Sequence, residues 1–185
     1  MFVDVPDESA VSDEVSSWYE RQRASWGYLP NYARAFATRP DVAEAWTALS
    51  NAVGKGMDRR RYELATIAAA RELRSTYCTA AHTLVLAQKW PEPARDDVDL
   101  AVIALAEMVA RDAASVEQAD VDRLRDLGLT DAEVFDVVAA AALRSFFAKT
   151  LDGLGAEPDA EFAQRLDSQQ RAGVTVGRPF ASVGE

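Results

Sequence analysis

Apolar residues recur along this chain at helical spacing. Val42, Ala45, Trp46 and Leu49 fall three or four residues apart, the interval that lines one face of a helix. No segment shows the two-residue alternation of a half-buried strand. A first amphipathic helix is predicted from about Ser12 to Trp26, broken by Gly27-Tyr28-Leu29-Pro30-Asn31. A short helix runs to about Thr38, and Pro40 opens another that ends near Gly54-Lys55-Gly56. Asp58 is a natural N-cap for a helix over about Arg59–Leu73, and Ser75 for one reaching about Gln88. Nearly continuous apolar positions at Leu64, Ala65, Ile67, Ala68 and Ala69 predict burial of the first of these on more than one side.

Pro91 and Pro93 mark a loop, and an Ala/Val/Leu-rich helix follows over about Asp96–Ala110. Ser115 with Gln118 reads as a capping box for a helix closed by Gly128. Thr130 with Glu133 opens the last long helix, ending near Gly155, and the stretch from Pro158 has room for one more short helix. The expectation is an all-α protein: an N-terminal arm over 1–10, a single helical domain over 11–170 and a C-terminal tail over 171–185.

Composition narrows the function classes. The chain has 185 residues, enough for one sizeable core, and 49% are hydrophobic with Ala dominant, which favours helix. A formal net charge of −10 repels nucleic acid and anionic membranes, so neither is expected as a partner. The run Arg59-Arg60-Arg61 reads as a solvated turn. The start of the chain is acidic, no window suits a membrane span, and one cysteine cannot form an internal disulfide. The expected location is therefore the cytoplasm.

The chain has one cysteine and one histidine, and they stand four apart: Cys78-Thr-Ala-Ala-His82. On a helix that spacing places both on one face. An imidazole so placed can take the thiol proton, and the first turn of a helix favours an anion. Both influences, with the thiolate as the reactive form, point to nucleophilic chemistry at Cys78. Glu63 interrupts the apolar face of the preceding helix, and charged residues are seldom buried without a partner, so it is the candidate carboxylate beside His82. Each residue also has a purely structural alternative: inert core for Cys78, a hydrogen-bonded core imidazole for His82, a helix-dipole carboxylate for Glu63. Metal binding is disfavoured because zinc sites draw on several His or Cys residues. No dinucleotide fingerprint or P-loop is present, and no cofactor is expected.

The segment from Glu63 to His82 resembles the signature of the carboxymuconolactone decarboxylase / alkylhydroperoxidase D-like superfamily: a Glu, eleven residues, Cys-x-x-Cys, three residues and a His. Glu63 matches the proton-relay Glu, Cys78 the second cysteine and His82 the His. Gly27-Tyr-Leu-Pro-Asn31 resembles the Gly-x-x-Pro-Asn segment of the peroxidase-related branch, and Leu129 through Gly155 the usual last helix. The first cysteine of the pair is Ser75 here, so the dithiol–disulfide cycle of that family cannot close within this chain. Ser75 and Tyr77 are then supporting residues, Ser75 by donating to a Cys78 thiolate or by capping the helix.

The resemblance implies an antioxidant, peroxidase-like oxidoreductase that turns over hydroperoxide with an external thiol and assembles as a dimer, trimer or hexamer. It equally allows a lactone-processing lyase in which His82 and Glu63 act as acid and base. Arg71 and Arg74 are the nearest candidates to grip a substrate carboxylate. A third reading is a non-catalytic oligomeric relative whose site has decayed. Finally, Glu63–Ser75 echoes Glu133–Ser145, with identities that include Glu63/Glu133, Arg74/Arg144 and Ser75/Ser145. If the echo is a repeat, the second copy lacks both reactive groups.

Overall fold

A computed structural model describes residues 1–91 and 95–181; the expected turn at Pro93 and the end of the tail, 182–185, lie outside the described residues. Among the described residues the chain is all-helical, with no strand. In order come α1 (Asp13–Trp26), α2 (Asn31–Phe36), α3 (Pro40–Gly56), α4 (Arg59–Glu72), α5 (Thr76–Lys89) and α6 (Asp97–Asp112). Then follow a short 3-10 turn (Ala113–Ser115), α7 (Gln118–Asp126), α8 (Asp131–Gly153), α9 (Ala160–Gln164) and α10 (Ser168–Val174).

Local chemistry sets these boundaries. The Ser12 and Asp58 side chains accept from the first-turn amides of Val15 and Arg61, satisfying donors that a helix start leaves open. Gly27 ends α1 with φ +81°, a left-handed conformation that glycine adopts without cost. Thr130 and Glu133 form the expected capping box of α8. The other expected box does not form. The Ser115 hydroxyl donates to the Asp112 carbonyl at 2.7 Å inside the 3-10 turn, and α7 is instead opened by Glu117, whose amide donates to Asp120. Two short helices, not one, follow Pro158, because Asp167 and Gln170 make a further capping box that starts α10.

The Arg59–Arg61 run is also not a solvated turn. It forms the first turn of α4, where Arg60 pairs with the buried Asp99 and Arg61 reaches Asp96 and Asp99 at 3.4 Å. The carboxylates that receive these charges lie at the start of α6, a contact that sequence spacing does not disclose.

α4 and α5 form a hairpin whose turn is made by Leu73, Arg74 and Ser75, with Arg74 at φ 55°. α4 is buried almost continuously from Tyr62 to Ala70 and packs against α5, α6 and α8. Its small residues allow this close approach: Ala65, Ala69 and Ala70 are fully covered. Two apolar clusters result. One joins α3, α4 and α6 to α7 and the first half of α8 around Val102, Leu105, Leu124 and Val137. The other joins α1, α2 and α5 to the second half of α8 and the C-terminal helices around Trp18, Tyr19, Phe147 and Phe162. α8 crosses from one to the other between Leu143 and Phe147.

The C-terminal segment lies along the α4–α5 turn. The Thr76 hydroxyl accepts from the amides of Val176 and Gly177 at 3.2 and 3.0 Å, and a Cβ at Gly177 would overlap the Arg74 carbonyl. No helix among the described residues is long and apolar enough to cross a membrane.

Candidate active site

Where α8 changes clusters, three helices present polar groups to one cavity. α4 supplies Glu63, α5 supplies Cys78 and His82, and α8 supplies Arg144; all four line a cavity of about 240 Å³. Its apolar walls are aromatic. Trp46 from α3 stacks on Phe147 with ring centres 4.2 Å apart, and Tyr32, Tyr62 and Trp26 complete them. Thr47, Ser50, Asn51 and Arg59 form its polar side.

Glu63 is fully buried, and its Oε2 lies 2.6 Å from His82 Nδ1. Its other oxygen lies 3.1 Å from an Arg59 guanidinium nitrogen one turn earlier, an ion pair without good hydrogen-bond alignment. Burial by itself raises the Glu63 carboxyl, but the hydrogen bond and charge of His82, with Arg59 and Arg144, hold it below its ordinary value. Burial pushes the His82 imidazole below its ordinary value, and Arg144 pushes the same way against the pull of Glu63. The pair is thus carboxylate and neutral imidazole at neutral pH. A carboxylate only accepts, so Nδ1 carries the proton and Nε2 keeps its lone pair.

Cys78 is the third residue of α5 and is 1% exposed. Its sulfur accepts from an Arg144 guanidinium nitrogen at 3.5 Å. Arg144 is itself buried, lies 5.3 Å from the Phe147 ring centre and forms no ion pair among the described residues; its Nε has no hydrogen-bond partner. Its charge acts on the Glu63 carboxylate across the cavity, but the group it donates to is the Cys78 sulfur, which as a thiolate would give it a direct counter-charge.

The supporting residues take other places. Ser75 occupies the N-cap position of α5 and is fully buried, but its hydroxyl makes neither a capping bond nor any hydrogen bond of good geometry. Tyr77 lines the cavity, and its hydroxyl donates to Asp159 at 2.6 Å. Asp159 also accepts from the Tyr28 hydroxyl at 2.9 Å and from the Asn31 amide at 2.8 Å. The Gly27–Asn31 segment is therefore tied beneath α5 through this carboxylate.

Arg71 and Arg74, the expected carboxylate grips, hold the C-terminal segment through the carbonyls of Gly173 and Val176. The guanidiniums at the cavity are Arg59 and Arg144. Arg144 carried a readable signal: it interrupts the apolar stretch Ala140–Phe147 of α8 just as Glu63 interrupts α4. Among the described residues no cluster of three His, Cys, Asp or Glu groups could hold a metal ion.

Fold and site together define an all-helical protein whose α4–α5 hairpin carries a thiol, an imidazole and a buried carboxylate. Residues 40–89, from α3 to the end of that hairpin, match the profile of the carboxymuconolactone decarboxylase family. Over that stretch the chain is similar to the family, and its all-helical fold is shared with solved alkylhydroperoxidase D-like structures. Its fold is similar to the alkylhydroperoxidase AhpD core of an uncharacterized peroxidase-related protein from Ralstonia eutropha JMP134. The TM-score is 0.76 at 23% identity, covering 87% of this chain and 93% of that one. A peroxidase-related protein from Silicibacter sp. TM1040 gives the same TM-score and coverage at 21% identity. A cysteine-to-alanine variant of the debrominase Bmp8, solved in complex with 2,3,4-tribromopyrrole, follows at TM-score 0.73 and 12% identity, covering 89% of this chain and 95% of that one. No curated protein matches the sequence.

Proposed function

We propose that the protein is a thiol-dependent hydroperoxide reductase working through Cys78 alone. The observation that carries this reading is the buried Arg144, in no ion pair among the described residues, donating to the only sulfur in the chain able to ionise. It supplies the counter-charge that a thiolate needs in a site of low dielectric. His82, oriented by Glu63 through Nδ1, has its Nε2 lone pair available to receive the thiol proton. The Cys78 thiolate attacks the terminal oxygen of a hydroperoxide, the O–O bond breaks, and Cys78 becomes a sulfenic acid. The proton held by His82 passes to the departing alkoxide, giving an alcohol. An external thiol then restores Cys78. Ser75 cannot resolve the sulfenic acid, so no internal disulfide intervenes.

The purified protein is expected to consume alkyl hydroperoxide in the presence of a thiol, with a dimedone adduct trapped at Cys78. Cys78→Ser should abolish consumption. Undiminished turnover in that variant overturns the reading.

A lyase reading has one observation in its favour: two guanidiniums, Arg59 and Arg144, share the cavity with the His82–Glu63 pair and would suit a carboxylated lactone. It requires that Cys78→Ala keep converting such a lactone. The exposed Leu49, Phe135 and Phe146 flank a groove between α3 and α8, the surface on which we place self-association.

A further inference from the structure

The charges that face the cavity come from three elements. Two guanidiniums, Arg59 and Arg144, face the one carboxylate, Glu63, which Arg59 meets at 3.1 Å; the group that Arg144 donates to is the Cys78 sulfur. Once Cys78 is a neutral sulfenic acid or mixed disulfide, Arg144 loses the anion it donates to, and the cavity holds two cations against one carboxylate. The oxidised pocket therefore draws in negative charge.

Access sets a second condition. Exchange requires a thiolate to reach the sulfur directly. Cys78 is 1% exposed, and the cavity of about 240 Å³ is smaller than the roughly 300–1,000 Å³ of ordinary ligand pockets. A cysteine fixed on the surface of a folded protein cannot enter it, and this chain has no second cysteine to carry the oxidation outward.

We infer that the reductant restoring Cys78 is a small, negatively charged thiol that enters the pocket and is held by Arg144, and not a protein dithiol. This rests on the single-cysteine reading above. In the first step the incoming thiolate attacks the sulfenic sulfur, displacing hydroxide that leaves as water and forming a Cys78 mixed disulfide. A second thiolate attacks the outer sulfur of that disulfide, releasing the Cys78 thiolate and a small symmetric disulfide. Two thiols are oxidised for each hydroperoxide reduced, giving one alcohol and one water.

The test bypasses hydroperoxide. Cys78 is methylthiolated with methyl methanethiosulfonate, which leaves it as a neutral mixed disulfide, and its release is followed by intact mass. The thiols are 3-mercaptopropionate (anionic), 2-mercaptoethanol (neutral), cysteamine (cationic) and reduced thioredoxin. Each rate is divided by that thiol's rate on a methylthiolated cysteine peptide. The expected order is anionic at least tenfold above neutral, then cationic, with thioredoxin slowest. Arg144→Gln should erase the charge ranking; if it does not fold, the ranking in the unaltered protein decides alone. Equal normalised rates, or fastest release by thioredoxin, overturn the inference. A Cys78 that refuses methylthiolation is unreachable and overturns both readings. Charge-ranked release in a protein that consumes no hydroperoxide leaves the thiol-selecting pocket standing and removes the peroxidase reading.

Discussion

Two buried carboxylates touch neighbouring turns of α5, and they are built on opposite plans. Asp159 meets only neutral donors: the hydroxyls of Tyr28 and Tyr77 and the amide of Asn31. Burial dominates there and raises its carboxyl above the ordinary value despite those three bonds. Glu63 meets an imidazole and two guanidiniums, and they hold its carboxyl down although it is equally buried. One is satisfied by groups that do not titrate, so it fastens the chain. The other faces an imidazole, which can change charge, beside a cavity and a thiol, and it is the acid we propose for proton movement. Burial alone does not distinguish a structural acid from a chemical one; the partners do.

The largest effect should come from removing the structural acid. Asp159→Ala strands one buried and two partly buried donors, each worth about 1–3 kcal/mol when unsatisfied. Allowing for water entering the gap, the loss is expected at about 3–5 kcal/mol, or roughly 10 °C in melting temperature for a chain of this size. Below its melting point the variant should still oxidise Cys78 within a few-fold of the normal rate. A protein that melts normally but no longer reacts would reverse the roles assigned to the two acids.

Glu63→Gln should do the reverse. Losing the group that orients His82 is expected to lower kcat about 100-fold, within the range for acid–base groups. The acid limb of the pH–rate profile should also move to lower pH, because Glu63 is what pulls the imidazole upward. Stopped-flow oxidation across pH 4–8 reads both quantities. A uniform loss with the limb unmoved would make Glu63 a packing residue only.

The comparison also separates what the sequence discloses from what it hides. The helices, their caps at Ser12, Asp58 and Thr130, and the face shared by Cys78 and His82 follow from spacing and local hydrogen bonding, both written within a few residues. Glu63 stood out because a charge broke an apolar helix. Its partner Arg59 was hidden in a run of arginines, and Arg144 comes from α8, 66 residues beyond Cys78. Asp159 gave no signal, since its three donors belong to α5 and to the segment that leads into α2. The echo of Glu63 in Glu133 illustrates the same limit. Glu63 is buried against His82, whereas Glu133 caps an exposed helix start. Matching letters do not fix matching environments.

The two acids should also differ in sign against pH. Glu63 is held below its ordinary 4.5, so its stabilisation is present above that value and lost as pH falls through the folded value. Asp159 is raised above its ordinary 3.8, so its contribution is full below 3.8 and declines as pH rises through the folded value. On acidification from pH 7 to pH 3, the stability gap between the unaltered protein and Glu63→Gln should narrow. The gap to Asp159→Asn should widen. Each changes by about 1.4 kcal/mol for every pH unit that separates the folded from the unfolded titration of its acid. Chemical denaturation at several pH values measures both slopes, and parallel slopes would erase the distinction.

The smallest effect tests whether the Asp159 knot is as neutral as described. Tyr28→Phe removes one of its three donors and leaves the ring in place against Trp26, whose centre lies 6.4 Å away. A lost hydrogen bond to a partner that keeps two others is expected to cost about 1 kcal/mol, or roughly 2–4 °C. Burial and the nearby Asp159 charge already push the Tyr28 hydroxyl far above its ordinary range, so it only donates at any accessible pH. The cost should therefore stay constant from pH 6 to pH 9. It should shrink in an Asp159→Asn background, where no charge strengthens the bond. A cost that varied across that window would mean that Asp159 or another group at the knot changes charge there, and the line drawn between the two acids would have to move.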